Sequence, residues 1–261
     1  AVLAFAALRN EHLASWIEEY VTFPSSMVDR ITPTTTAADR ALVERTFGVR
    51  DRWPVITEPF SQWVVEDSFC NGRPPLDEVG VQFVEDVRPY ALMKTRLLNG
   101  SHCALGHLGL LAGHDRMDEA MADPLLATYA TRLVDEEVAP LLPRVAGFDL
   151  AGYRGTMLRR LANPRIGDQL ARLCRGAPVK VARHVVPSIA EARARRRPHP
   201  LLTLAVAGFC AHDPSRRPTD PAVFGPLARD AAFVAEVDAA LDEIARLGVR
   251  AALAGGERRA A

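Results

Sequence analysis

No C-x-x-C pair, P-loop, G-x-S-x-G elbow or H-E-x-x-H helix occurs anywhere in this chain, and no G-x-G-x-x-G lies between a strand and a helix. The four cysteines, Cys70, Cys103, Cys174 and Cys210, stand far apart. A zinc knuckle or redox pair is thus unsupported, and reduced thiols in a cytoplasmic protein are the expectation. His102, His107 and His114 do not share a helical face with a carboxylate, so no metal site is expected. Net charge is also lacking, with 32 Lys plus Arg against 32 Asp plus Glu. That balance argues against nucleic acid or an anionic membrane as the main partner. No apolar run reaches the ~18 residues of a membrane span. There is no signal-peptide pattern and no internal repeat.

What is present is ordinary in bulk: 261 residues, 48% hydrophobic and 25% charged, enough for one or two globular domains. The unusual stretch runs from Lys94 to Leu111. It is apolar and rich in helix formers, yet holds a lysine, an asparagine and a histidine within nine residues. On an α-helix Lys94 and His102 lie about 80° apart, Asn99 about 60° from His102, and all three within about 140°. His102 is about 12 Å further along than Lys94. Asn99-Gly100 is a turn signal, so a kink or restart with Ser101 as N-cap is expected. A lysine in a partly apolar site loses hydration and can exchange protons near neutral pH. An asparagine amide can donate to a developing alkoxide, and an imidazole can hold a neighbouring hydroxyl. These are the parts for oxidising an alcohol, with a hydride acceptor that no side chain supplies.

In chain order, residues 1–20 read as one helix, and a chain opening inside an ordered element suggests a preceding part. Short extended pieces are expected at Val21–Phe23, Met27–Ile31, Trp53–Ile56, Gln62–Val65 and Gly80–Val84, with prolines at their borders. Asp29 and Arg30 sit among apolar neighbours, as a buried ion pair or as site groups. A helix capped by Thr35 or Thr36 runs to about Phe47. Further helices are expected near 88–112, 116–122, 124–142, 148–162, 166–175, 178–194, 199–212 and 227–254, with Asp123 and Asp149 as caps. Arg172, Arg175 and Lys180 cluster around Gly176; they complement a helix end or clamp a polar ligand group. Arg193, Arg195, Arg196 and Arg197 read as a solvated face.

Three segments then carry a resemblance: Phe23-Pro24-Ser-Ser-Met27-Val28-Asp29-Arg30-Ile31-Thr32-Pro33; Trp53-Pro54-Val-Ile-Thr57-Glu58-Pro59-Phe60 with Gln62-Trp63-Val-Val-Glu66-Asp67; and Lys94-x-Arg-Leu-Leu-Asn99-Gly100-Ser101-His102. In this order and spacing the chain resembles the mannitol dehydrogenase family of long-chain, zinc-independent polyol and sugar-acid dehydrogenases. The resemblance implies a mainly α fold: a multi-helical C-terminal substrate domain of 6-phosphogluconate-dehydrogenase-like type, with a few short strands near the N-terminus. It implies Lys94 as general acid–base, Asn99 as oxyanion donor and His102 as the residue that orients substrate. Asp29 then lies near substrate and nicotinamide, and Arg172, Lys180 and Arg175, which lies between them, are the substrate-binding candidates. NAD or NADP is the implied cofactor, without metal. The partner is a polyol, a ketose or a sugar acid.

Because the glycine-rich loop is not in the sequence, the Rossmann domain is expected to be absent from this chain and supplied in cis or in trans, leaving the chain alone inactive. The domains then read as a lead-in helix at 1–20, the catalytic and substrate domain at 21–254 and a frayed tail at 255–261. The expected reaction is hydride transfer between a secondary alcohol and nicotinamide, as in mannitol 2-dehydrogenases. Fructuronate or tagaturonate reduction, or a cofactor-less binding module, are the alternatives.

Overall fold

A computed structural model describes residues 1–145 and 147–258. It divides into two compact units, Ala1–Arg30 with Pro59–Ala91, and Ile31–Glu58 with Leu92–Ala261.

In the first unit, α1 (Val2–Arg9) and α2 (Glu11–Tyr20) replace the single helix expected over 1–20. Asn10 is extended, at φ −165°, and its side chain accepts from the His12 amide at 2.8 Å, so it ends one helix and caps the next. Strands β1 (Ser26–Asp29), β2 (Gln62–Glu66) and β3 (Gln82–Val84) form one sheet in the order β1-β2-β3. The β1–β2 pair is antiparallel, with Met27 opposite Val64, and the β2–β3 pair is parallel. Glu66 fastens the sheet margins, taking the Ser25 amide on one carboxylate oxygen at 3.0 Å and the Val87 amide on the other at 3.4 Å.

The second unit is helical. α3 (Ala37–Phe47) begins in a capping box: the Asp39 amide donates to the Thr36 hydroxyl at 3.2 Å, and the Thr36 amide donates to Asp39 at 2.7 Å. Trp53–Ile56, expected as a strand, pairs with nothing in the sheet, and Trp53 is 74% exposed. Pro54 removes a ladder donor there. α4 (Arg88–Met93) opens the long helix; it passes through a π-helical turn at Lys94–Asn99 and continues as α5 (Gly100–Leu111). No restart or Ser101 cap occurs, because Gly100 keeps helical angles of −62° and −46°.

α6 (Met117–Ala122) and α7 (Pro124–Arg132) follow, the latter capped by Asp123 onto the Leu125 amide at 3.0 Å. A second π-turn spans Leu133–Val138 and a 3-10 turn Ala139–Leu141. α8 (Leu150–Leu161) is capped by Asp149, and α9 (Leu170–Cys174) is short. The helix expected over 178–194 is two, α10 (Ala177–His184) and α11 (Val186–Ala194), with Pro187 in the first turn of the second. Then come α12 (Pro200–His212), α13 (Pro221–Phe224) and a 3-10 turn at Gly225–Arg229. The helix expected over 227–254 divides at Gly248, φ +81°, into α14 (Ala231–Leu247) and α15 (Val249–Arg258). The tail expected to fray from Gly255 is helical to Arg258, and residues 259–261 lie outside the described residues.

α12 is the hub, packed against both α5 and α14. Its side chains from Leu201 to Cys210 are all buried. The close approach to α5 depends on Gly208, where an added Cβ would fall 2.6 Å from Leu108 Cδ2. The Arg193–Arg197 run is not wholly a solvated face. Arg193 is half-buried and pairs with Asp230 at 2.8 Å and Glu236 at 3.0 Å, because Asp230 and the first turns of α14 face it. Arg196 and Arg197 are exposed.

Candidate functional site

The π-turn changes the geometry that regular helix spacing implies. On an α-helix, positions i and i+4 share a face. Across a π-turn, with i→i+5 hydrogen bonds, the shared positions are i and i+5. The Gly100 amide donates to the Thr95 carbonyl, five residues back. Lys94 and Asn99 are five apart, so the wide turn brings them onto one face, where an α-helix would hold them about 140° apart. His102 then lies three residues further along the α-helical part. All three are half-buried, while Leu97, Leu98 and Ala104 are buried. Among the described residues, the Lys94 ammonium and the Asn99 amide have no hydrogen-bond or ion-pair partner. Arg96, between them, is buried and paired with Glu191 of α11.

The elements around this turn belong to one packed group: α10 lies against both the π-turn and α5, and α9 against α5. Gly100 permits this, since an added Cβ would meet the His184 carbonyl oxygen at 3.2 Å. Burial first, then the positive charges of Arg183, Lys94 and Lys180, hold the His184 imidazole neutral down to about 4. The field of two lysines therefore reaches one spot, and such a field favours oxygen with developing negative charge. Burial pushes the Cys103 thiol up to about 12 and Cys174 to about 11, so neither is a ready nucleophile.

Of the late basic residues, Arg172 is half-buried and ion-paired with Asp168, one turn earlier. Lys180 Nζ donates to the Leu173 carbonyl at 2.8 Å, closing the end of α9. Arg175 is exposed. Asp29, in the other unit, ends β1 and is fully buried, whereas Arg30 beside it is exposed.

Two supporting groups escape reasoning from sequence. Arg160 of α8 and Glu58 form a buried pair: Arg160 Nη2 donates to Oε1 at 2.7 Å and Nε to Oε2 at 2.9 Å. Glu58 also accepts the Ile31 amide at 2.5 Å, which ties the T-E-P-F segment to the residues that follow Asp29-Arg30. The second is Asp168, buried and paired with Arg172. Its only signal in the sequence is the Asp-x-x-x-Arg spacing. A small cavity of about 10 Å³ is lined by His102, Arg160, Asn163 and Asp168, among others.

The profile of the mannitol dehydrogenase C-terminal domain matches residues 86–222, and that of the mannitol dehydrogenase Rossmann domain matches residues 1–78. A mannitol 2-dehydrogenase of Aspergillus fumigatus is 40% identical over 280 residues, covering 94% of this chain and 56% of its own length. A mannitol dehydrogenase of Saccharomyces cerevisiae is 48% identical over 212 residues, covering 80% of this chain and 42% of its own. The Pseudomonas fluorescens mannitol 2-dehydrogenase, solved as a ternary complex with NAD and D-mannitol, superposes with a TM-score of 0.86 at 37% identity, over 98% of this chain and 58% of that one. The chain thus spans little more than half the length of such relatives.

The Rossmann match corrects one expectation. Residues 1–78 belong to that domain, so it is not absent from this chain. The glycine-rich loop is a single turn of such a domain. The parallel β2–β3 pair and the helices α1 and α2 are also α/β elements, and they carry no glycine signature. With both domain profiles matched in sequence order, the chain belongs to the mannitol dehydrogenase family.

Proposed function

We propose that this chain carries the acid–base and substrate-binding groups of an NAD-dependent polyol 2-dehydrogenase, acting on the mannitol–fructose pair or a close relative. The observation that carries the reading is the π-turn, which sets a lysine and an amide, both unpaired among the described residues, on one half-buried face with an imidazole one turn beyond. Lys94 takes the proton from a secondary hydroxyl and, in the reverse direction, returns it to the ketose oxygen. The Asn99 amide donates to that oxygen as its charge develops. His102 holds a neighbouring hydroxyl. Nicotinamide, when bound, supplies the hydride chemistry. The residues fit such a group: an amine and an amide free to meet an alcohol need a hydride acceptor beside them, and no side chain serves. Asp29, buried at the carboxyl end of β1, is the residue we assign toward the cofactor.

A neutral polyol is favoured over a sugar acid. Arg172 is already neutralised by Asp168 and Lys180 is committed to a carbonyl, which leaves exposed Arg175 as the free cation of that cluster among the described residues. The test is NADH formation from NAD+ and D-mannitol by the intact protein, with and without Lys94→Ala. Loss of about 10²-fold or more in kcat is expected for the variant. Near-normal turnover at neutral pH would refute the assignment. Faster reduction of fructuronate than of fructose would favour the sugar-acid alternative, and no binding of NADH would favour a non-catalytic module.

A further inference from the structure

We propose that Asp168 is a positioning residue for the substrate-binding groups, linking Arg172 to His102 through one water held in the cavity they border. The proposal rests on the reading of His102 as a substrate contact. Asp168 is 3% exposed, and its two carboxylate oxygens differ. Oδ1 accepts from Arg172 Nε at 2.9 Å and from Nη2. Oδ2 is fully buried and has no hydrogen-bond partner among the described residues. A buried carboxylate oxygen without a donor is costly, and native structures rarely leave one so.

The backbone holds Asp168 in place. Its carbonyl accepts the Met117 amide at 2.9 Å, and the Leu170 amide donates to the Asp115 carbonyl at 2.9 Å. The side chain therefore cannot easily turn to seek another donor. It borders a cavity of about 10 Å³, which His102 and Asn163 also line. That is room for about one water, in polar surroundings, which are the conditions for a buried water to be retained. A water donating to Oδ2 has its own oxygen free to accept from the imidazole. The ring nitrogen that bonds the water then carries the proton. The tautomer of His102 is thereby set by a carboxylate it does not touch.

Asp168→Asn keeps the shape and the Arg172 acceptor but turns a donor toward the cavity. With D-mannitol and NAD+, KM should rise about tenfold while kcat stays within about threefold. The ¹⁵N shifts of the His102 ring should move in the same variant. Unchanged KM and unchanged ring shifts would overturn the proposal. A high-resolution crystal structure of the unsubstituted protein serves if the variant fails to fold: a water bonded to both Asp168 Oδ2 and His102 is expected, and its absence refutes the link. His102→Ala separates the two readings. If it leaves KM unchanged while Asp168→Asn still moves the His102 ring, the substrate role fails and the link stands. If it raises KM but Asp168→Asn moves neither quantity, the link fails and the substrate role stands.

Discussion

Glu58 and Arg160, 102 positions apart, meet as a two-pronged ion pair with side chains 1% and 6% exposed. Glu58 accepts a backbone amide with the same carboxylate, so one side chain secures both the residues after Asp29-Arg30 and helix α8. Glu58→Ala would leave a buried guanidinium unmatched, and a loss of about 3–5 kcal/mol is expected. At ~2–4 °C per kcal/mol for a chain of this size, calorimetry should show a fall in Tm of about 6 °C or more. The double variant Glu58→Ala with Arg160→Met should recover part of it; equal destabilisation by the single and double variants would argue against the pair as the cause.

Asn99→Ala should act on turnover more than on binding. A donor aimed at developing charge contributes roughly 2.7–4 kcal/mol to the transition state. The expected result is a ~10²–10³-fold drop in kcat for D-mannitol oxidation with KM little changed, read from steady-state kinetics. A variant altered in KM alone would place Asn99 in ground-state binding instead.

Gly208 lets α12 approach α5. Gly208→Ala places a methyl group against Leu108, which is fully buried and has little room to yield. Overpacking of this kind costs about 1–3 kcal/mol. Urea unfolding should show the midpoint falling at constant slope, and Leu108→Ala in the same chain should relieve the clash while opening a void of its own.

The acid limb of stability should bear the mark of His107. Burial first, then the charges of His212 and Lys180, lower this imidazole from 6.5 to about 4. Between those values the unfolded chain binds a proton that the native chain does not, so stability falls as the pH is lowered from 6.5 toward 4. From pH 7 to 5 the loss is on the order of 2 kcal/mol. His107→Phe, which suits the ring contact with Phe209, should flatten this part of the Tm–pH curve. A curve of unchanged steepness would assign the acid loss to other groups.

Sequence carried the helix starts well where a side chain closes them: Thr36, Asp123 and Asp149 all accept a backbone amide as their spacing implies. It carried the long helix of Lys94 and His102, but not its π-turn, because an apolar stripe looks much alike whether hydrogen bonds span four residues or five. Trp53–Ile56 misled because β-branched and aromatic residues mark strands only where a neighbouring strand is available. The breaks at Asn10 and Gly248 lie inside good apolar periodicity, which reports a buried face and not the continuity of the axis. Asp168 and Glu58 stayed hidden because their roles depend on partners brought near by folding.

The wide turn at Lys94–Asn99 holds one more residue than an α-helical turn of the same rise. Deleting a residue within it need not break the rod; it would relax into ordinary helix. Lys94 and Asn99 would then stand four apart, which is the spacing of one face on a regular helix. The protein would keep its helix, its apolar contacts and the alignment of amine over amide, so that a fully folded chain with its chemistry retained is the expected product.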